Sequence, residues 1–342
     1  MPDKRNINLS LIRIIACLAV VLLHTANLAM AYFGPASTTR IITASMRNLM
    51  LWSVPCFVMV TGALLLDPAK DITYKKLFGK YIKRILIVLV LFTIIYKITD
   101  IAISGTPLST SLITEYLSDL VFGTSWSHVW YLYLILAIYL LLPFYRMVAA
   151  KASTKDLRYL LVVLIVFQSL LTLVSDITGK ETAFYICIST VFPLFLFAGY
   201  AIDRGVIKIH RALAIAVIFL GIAAIIILSM EATKLQSEIL GSMVTSYHFI
   251  ATVLMSIAIF SLISGIKISD RLNSPVFRSL DSCTFGIYLI HMIVLNLIYK
   301  VIGFNPLTLG VYMLPVIAIV TFIISWGITF ILKLIPGIKK IL

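Results

Sequence analysis

The sequence predicts an all-α, polytopic membrane helix bundle of about ten transmembrane helices with both termini cytoplasmic. Composition is the first reason. Hydrophobic residues make up 61% of the 342 residues and charged residues 12%, with a mean hydropathy of +1.08, far from the mix of a soluble globular domain. Periodicity is the second: the apolar residues come in stretches long enough to cross roughly 30 Å of hydrocarbon as helices, with none of the sustained two-residue alternation of a barrel strand. The distribution of basic residues is the third, and it sets the orientation.

In chain order the expected spans are 8–32, 43–66, 77–103, 128–148, 157–175, 182–201, 211–230, 243–264, 279–300 and 308–334. The first is read as a retained helix rather than a signal peptide, because it is too long, carries Arg13 and His24, and lacks a small-residue cleavage site before the next span. The outer connection 104–127 holds Leu112, Ile113, Tyr116, Leu117, Leu120 and Val121 in a pattern that suits a short interfacial helix, with Glu115 and Asp119 as solvated charges. Short loops and the lack of a Pro/Gly/Ser-rich linker predict one membrane domain over 1–342.

Alternate loops carry the cations. One side holds Lys4 and Arg5, then Lys70, Lys75, Lys76, Lys80, Lys83 and Arg84, then Arg146, Lys151, Lys155 and Arg158. It continues with Arg204, Lys208 and Arg211, Lys267, Arg271 and Arg278, and Lys333, Lys339 and Lys340, while the other side is read as holding little beyond Lys180, Lys234 and Lys300. A positive-inside bias of this size places both termini in the cytoplasm. It also accounts for the net charge of +14, so no nucleic-acid partner is expected, there being no soluble domain with aromatic-interleaved basic patches.

Within the first span, Arg13 and His24 are separated by ten residues. At about 100° per residue they return to within roughly 20° on one face, about 16 Å apart along the axis. A central membrane arginine costs roughly 2.5–3.5 kcal/mol on insertion scales, so this face is expected to line a protein interior or a cavity. His24 could serve as a general base near neutral pH or be a histidine bonded to a neighbouring helix. Arg13 could bind a phosphate or snorkel to the interface.

Other polar positions carry similar pairs of readings. Lys80, Lys83 and Arg84 share neighbouring faces at the start of the third span and suit either anchoring or a phosphorylated cofactor. His128, Trp130, Tyr131 and Tyr133 open the fourth span; the aromatics fit an interfacial belt, and His128 could meet a polar acceptor. Ser282, Phe285, Tyr288 and His291 recur at steps of three, which predicts a slowly drifting stripe carrying Ser282, Tyr288 and His291. His248 reads as structural. The four cysteines, Cys17, Cys56, Cys187 and Cys283, fall inside spans without a CxxC pair and are read as packing residues. No metal is expected, since no two histidines share an i, i+3 or i, i+4 face.

These segments together resemble the acyltransferase-3 family of bacterial integral-membrane acyltransferases over essentially the whole chain. The carriers are Arg13 to His24, VPCFVMVTGALLL at 54–66, KYIKRIL at 80–86, HVWYLYLILAIYLLLP at 128–143, FPLFLFAGY at 192–200 and SCTFGIYLIH at 282–291. The resemblance implies a multi-pass protein of the bacterial inner membrane that moves acetyl from cytosolic acetyl-CoA to a sugar hydroxyl on the outer side, in the stand-alone form associated with surface polysaccharides such as O-antigen. It implies His24 as the catalytic residue with Arg13 in support, and Lys80, Lys83 and Arg84 in place of a basic pair that binds the donor. Here the family's arginines are replaced: Lys80 and Lys83 keep the three-residue spacing but not the residue type. For His128, Tyr288 and His291 it implies acceptor binding or proton relay. The alternative from the residues alone is a transporter of a small polar solute or glycan, since polar helices around a cavity serve transport equally well.

Overall fold

The structure, a computed structural model, describes residues 6–105, 111–178 and 190–342. Among these the chain folds into helices with no strand. Eight helices are long and apolar enough to span a membrane: α1 (Ile7–Tyr32), α2 (Thr38–Leu65), α3 (Tyr74–Ser104), α5 (Trp130–Lys151), α6 (Thr154–Thr178), α8 (Arg211–Lys234), α11 (Pro275–Val301) and α12 (Val311–Leu332). Between them lie α4 (Ser111–Phe122), α7 (Phe192–Asp203), α9 (Glu238–Val244) and α10 (Ile250–Ser264).

The ends follow local chemistry. Asn6 caps α1 by accepting from the backbone N–H groups of Asn8 and Leu9, and the helix runs without Gly or Pro until Gly34-Pro35. Ser37 caps α2. Pro55 has no N–H to offer the preceding turn, and Met50–Trp52 tightens there to a 3₁₀ turn. Gly105, at φ 67°, closes α3 in the left-handed region.

Two of the ten expected spans are shorter than a bilayer crossing. α7 has 12 residues and α10 has 15, about 18 and 22 Å at 1.5 Å per residue. The first part of the expected 182–201 span, with Cys187, lies outside the described residues. The expected 243–264 span breaks at residues 245–249, between α9 and α10, and this break carries Tyr247 into the bundle.

α11, α2 and α1 form the inner layer, with 78%, 67% and 56% of their apolar windows buried, whereas α5, α8 and α6 reach only 28%, 22% and 17% and lie outside. Glycines permit the closest crossing. A Cβ on Gly62 of α2 would stand 1.8 Å from the Leu196 carbonyl oxygen of α7, and one on Gly199 would stand 2.0 Å from the Met59 carbonyl oxygen. Asn8 ties α1 to the end of α10, its side-chain N–H groups donating to the carbonyls of Ile263, Ser264 and Ile266 at 2.8, 3.0 and 2.8 Å. Cys17, Cys56 and Cys283 are buried free thiols. The interfacial helix forms as α4, with Ile113, Leu117 and Val121 exposed. Its acids stay solvent-accessible, as expected, and also pair: Lys97 of α3 reaches Glu115 at 2.7 Å and Asp119 at 3.8 Å.

Candidate active site

The inner layer brings three histidines together. His24 of α1, His128 just before α5 and His291 of α11 place their ring centroids 6.0, 5.2 and 5.3 Å apart for the pairs 24–128, 24–291 and 128–291. No helix supplies two of them, which is why the spacing on individual helices shows no cluster. Even so, no group of three or more His, Cys, Asp and Glu suited to hold a metal occurs among the described residues.

The hydrogen bonds around them fix two protonation patterns. Tyr96 of α3 has one hydroxyl hydrogen, and it donates to the Leu289 carbonyl at 2.8 Å. Toward His128 Nε2, 2.9 Å away, the Tyr96 oxygen therefore accepts, so His128 carries its hydrogen on Nε2 and a lone pair on Nδ1. His291 Nδ1 lies 2.6 Å from the Tyr288 carbonyl, which can only accept, so its hydrogen sits on Nδ1 and its lone pair on Nε2. Both lone-pair nitrogens, and Nδ1 of His24, are buried without a partner among the described residues. Tyr288 donates to the His128 carbonyl and holds the residue in place. Tyr96 in turn stacks on Trp126 at 4.5 Å, whose indole N–H donates to Asp100 at 2.8 Å.

A cavity of about 170 Å³ opens beside His24, lined by His128, Trp130, Tyr131, Tyr288, Tyr247 and Arg47 among others. Trp130 packs on Tyr247 at 5.3 Å. The next cavity, about 140 Å³, shares Val20, Val54, Tyr131 and Tyr288 with the first, reaches Arg13 and Phe285, and is almost wholly apolar. A third, about 570 Å³, shares Arg13, Phe57 and Tyr131 with the second and is lined at its mouth by Lys70, Asp71 and Lys76. A series of adjoining cavities therefore follows the Arg13–His24 face of α1 from the basic end of the bundle to the histidines.

The sequence-derived site is gathered in part. His24, His128, Trp130, Tyr131 and Tyr288 share one cavity, and His291 touches two of the rings. Arg13 neither snorkels nor stands free: Nε and Nη2 hold Asp281 of α11 at 2.7 and 2.9 Å, and Ser10 adds a third bond to that carboxylate at 2.7 Å. Ser282 departs from the expected stripe. Steps of three residues lose about 60° each turn, and by Ser282 the face has swung outward, leaving an exposed hydroxyl that donates to the Ser279 carbonyl at 3.0 Å.

The basic group at the start of α3 is also rearranged. Leu77–Ile82 forms a π-helical turn, and the wider turn changes which residues share a face. Lys80 and Lys83 are exposed and absent from the cavity lining. Arg84 donates to the backbone oxygens of Ile341 and Leu342 at 2.9 and 2.8 Å and lies 4.8 Å above the Phe285 ring. Lys70 and Lys76 line the cavity instead. His248 stays apart, its backbone oxygen accepting from Ser169 at 2.6 Å. Tyr96, Asp281, Tyr247 and Arg47 were not foreseen. Asp281 had a usable signal, as an acid inside an apolar span must find a cation.

A polytopic helix bundle with a buried histidine cluster at one end of a row of adjoining cavities defines a membrane protein built around a polar internal site. The model of the acyltransferase domain, Acyl_transf_3, matches residues 6–330, and the chain belongs to that acyltransferase-3 family. It is a multi-pass membrane acyltransferase. No curated protein and no solved structure matches it.

Proposed function

We propose that this protein is an O-acetyltransferase of the bacterial inner membrane, taking acetyl from acetyl-CoA on the cytoplasmic side and delivering it to a sugar hydroxyl of a surface polysaccharide or its lipid-linked precursor. The observation that carries this reading is the series of cavities joining the Lys70–Lys76 mouth to the histidine cluster. The positive-inside bias of the sequence supports a cytoplasmic mouth and cytoplasmic termini. Lys70 and Lys76 are suited to the donor's phosphates. The apolar middle cavity accommodates an uncharged acyl-bearing arm, and the polar cavity beyond it a hydroxyl acceptor.

In this reading His24 removes the acceptor proton as the hydroxyl oxygen attacks the thioester carbon. The new C–O bond forms, the C–S bond breaks, and the proton is returned to the leaving thiolate. The His291 and His128 rings lie 5.2 and 6.0 Å from that of His24, each with one ring nitrogen unbonded, and in this reading they serve as a polar shell that holds the proton near His24 until it passes to the thiolate.

The test is transfer of labelled acetyl from acetyl-CoA to host glycan by the purified protein in liposomes, for wild type and His24→Ala. Glycan-dependent transfer that falls by about 10²–10⁴-fold in the variant supports a base at His24. Equal turnover removes His24 from the chemistry, and a folded wild type that binds no coenzyme A removes the donor.

A further inference from the structure

The end of the bundle beyond the histidines carries a second large cavity, about 550 Å³, lined by Asn48, Ser229, Gln236, Ser242 and Thr245 together with Arg40 and Arg47. Arg47 alone is shared with the His24 cavity. It is a half-buried cation on α2, inside a membrane-spanning helix, where an uncompensated guanidinium is costly. The bundle's other inner arginines are satisfied by the protein. Arg13 holds Asp281, and Arg40 donates to the carbonyls of Met30 and Phe33 at 2.8 and 3.1 Å, closing the end of α1.

Arg47 has only neutral partners. Its Nε donates to Asn48 Oδ1 at 2.9 Å and its Nη1 reaches Asn27 Oδ1 at 3.5 Å. Among the described residues no carboxylate pairs with it, and Nη2 makes no hydrogen bond. Asn48 is itself fixed, its side-chain N–H donating to Ser229 at 2.9 Å, so the guanidinium is held in one orientation at the junction of the two cavities. The remaining charge on the wall is Glu238, exposed at the mouth.

From this geometry we infer that the outer cavity is the acceptor's binding site and that Arg47 reads an anionic oxygen group, carboxylate or phosphate, on a saccharide whose hydroxyl is presented to His24. The hydroxyl and amide lining matches the ring of a sugar, and the oriented guanidinium matches a planar or tetrahedral anion through paired N–H donors. The inference takes the acyl-transfer reading for its context, but binding tests it without turnover.

The experiment uses the full chain in detergent micelles and measures binding of methyl β-glucuronide, glucose 1-phosphate, neutral methyl β-glucoside and inorganic phosphate. The expected result is that at least one anionic sugar binds about tenfold or more tightly than the glucoside, the gain from a charge-assisted pair of hydrogen bonds. Inorganic phosphate should bind more weakly than glucose 1-phosphate. In Arg47→Gln the gap between anionic and neutral sugar should close, and in Arg47→Lys, which keeps the charge without the fork, it should shrink. Binding of both anionic sugars no tighter than the glucoside, no binding of either anionic sugar at millimolar concentration, or an unchanged gap in the variants would overturn the proposal. Inorganic phosphate binding as well as glucose 1-phosphate would also overturn it, by removing the sugar. If Arg47→Gln does not fold, Arg47→Lys decides, and failure of acetyl transfer in the liposome assay leaves this binding result standing by itself.

Discussion

Arg13 and Asp281, 268 residues apart in the chain, form a two-point ion pair between the first and eleventh helices. The carboxylate is almost wholly enclosed, with 1% of its side chain exposed against 27% for the arginine. Removing one partner of such a pair costs more than removing both, since a lone buried carboxylate retains its full desolvation penalty. Arg13→Ala should destabilise the protein by about 3–5 kcal/mol. Arg13→Met combined with Asp281→Leu should recover most of that loss in thermal denaturation in detergent. A single variant as stable as wild type would show that the pair does not join the two helices. Loss of activity in Arg13→Ala is thus expected from structure before chemistry, and the stable double variant separates the two.

Tyr96 governs the protonation of His128. With phenylalanine there, the His128 Nε2 hydrogen and the Leu289 carbonyl both lose their partner, each worth about 1–3 kcal/mol when buried. Tyr96→Phe should therefore lower the melting temperature and reduce kcat for acetyl transfer by about tenfold or more while leaving the donor KM near wild type. A variant with unchanged kcat would mean that His128 takes no part in holding the proton.

The α2–α7 crossing predicts an asymmetry between glycines. Gly62→Ala puts a methyl group onto the Leu196 backbone, where nothing flexible can give way, so the helices must separate. A loss of at least about 2 kcal/mol is expected, at the upper part of the usual cost of overpacking. Gly79→Ala meets no atom within 4 Å and should be neutral or slightly stabilising. Equal melting temperatures for the two variants would contradict the close crossing.

Much of this architecture is written in the residues, and what is missing has physical reasons. Apolar length located all eight long helices and α4, because hydrophobicity integrates over a whole span and tolerates errors at the ends. It overran at α10, where the largely polar Thr245 to Phe249 were carried into the span by the apolar run that follows but turn in the structure. The helical face shared by Arg13 and His24 was legible, since both lie on one regular helix. The histidine cluster was not, because its members come from three segments and only packing joins them. Lys80, Lys83 and Arg84 stand off the cavity lining for a more local reason: one π turn alters the three-to-four-residue rule that grouped them. Arg47 lay inside the expected 43–66 span and carried the same unread signal as Asp281, an ionisable residue in an apolar run.

The displaced basic group makes a prediction that separates anchoring from recognition. Lys70 and Lys76 line the mouth of the cavity, the latter held by the Asp71 carbonyl at 2.9 Å. Lys80 and Lys83 point to solvent or headgroups. A partly exposed cation facing a phosphate contributes on the order of 0.2–1 kcal/mol in water, or up to about fivefold in affinity. Lys70→Ala and Lys76→Ala should each raise the KM for acetyl-CoA by roughly two- to fivefold, with an effect that weakens as salt rises. Lys80→Ala and Lys83→Ala should leave KM unchanged at every salt concentration, since positive-inside anchoring is shared among many lysines and loses little when one is removed. The liposome assay, run for the four variants at low and high ionic strength, measures both quantities. A KM effect confined to Lys80 and Lys83 would place the donor's phosphates outside the cavity and return the family's basic pair to the role its spacing implies.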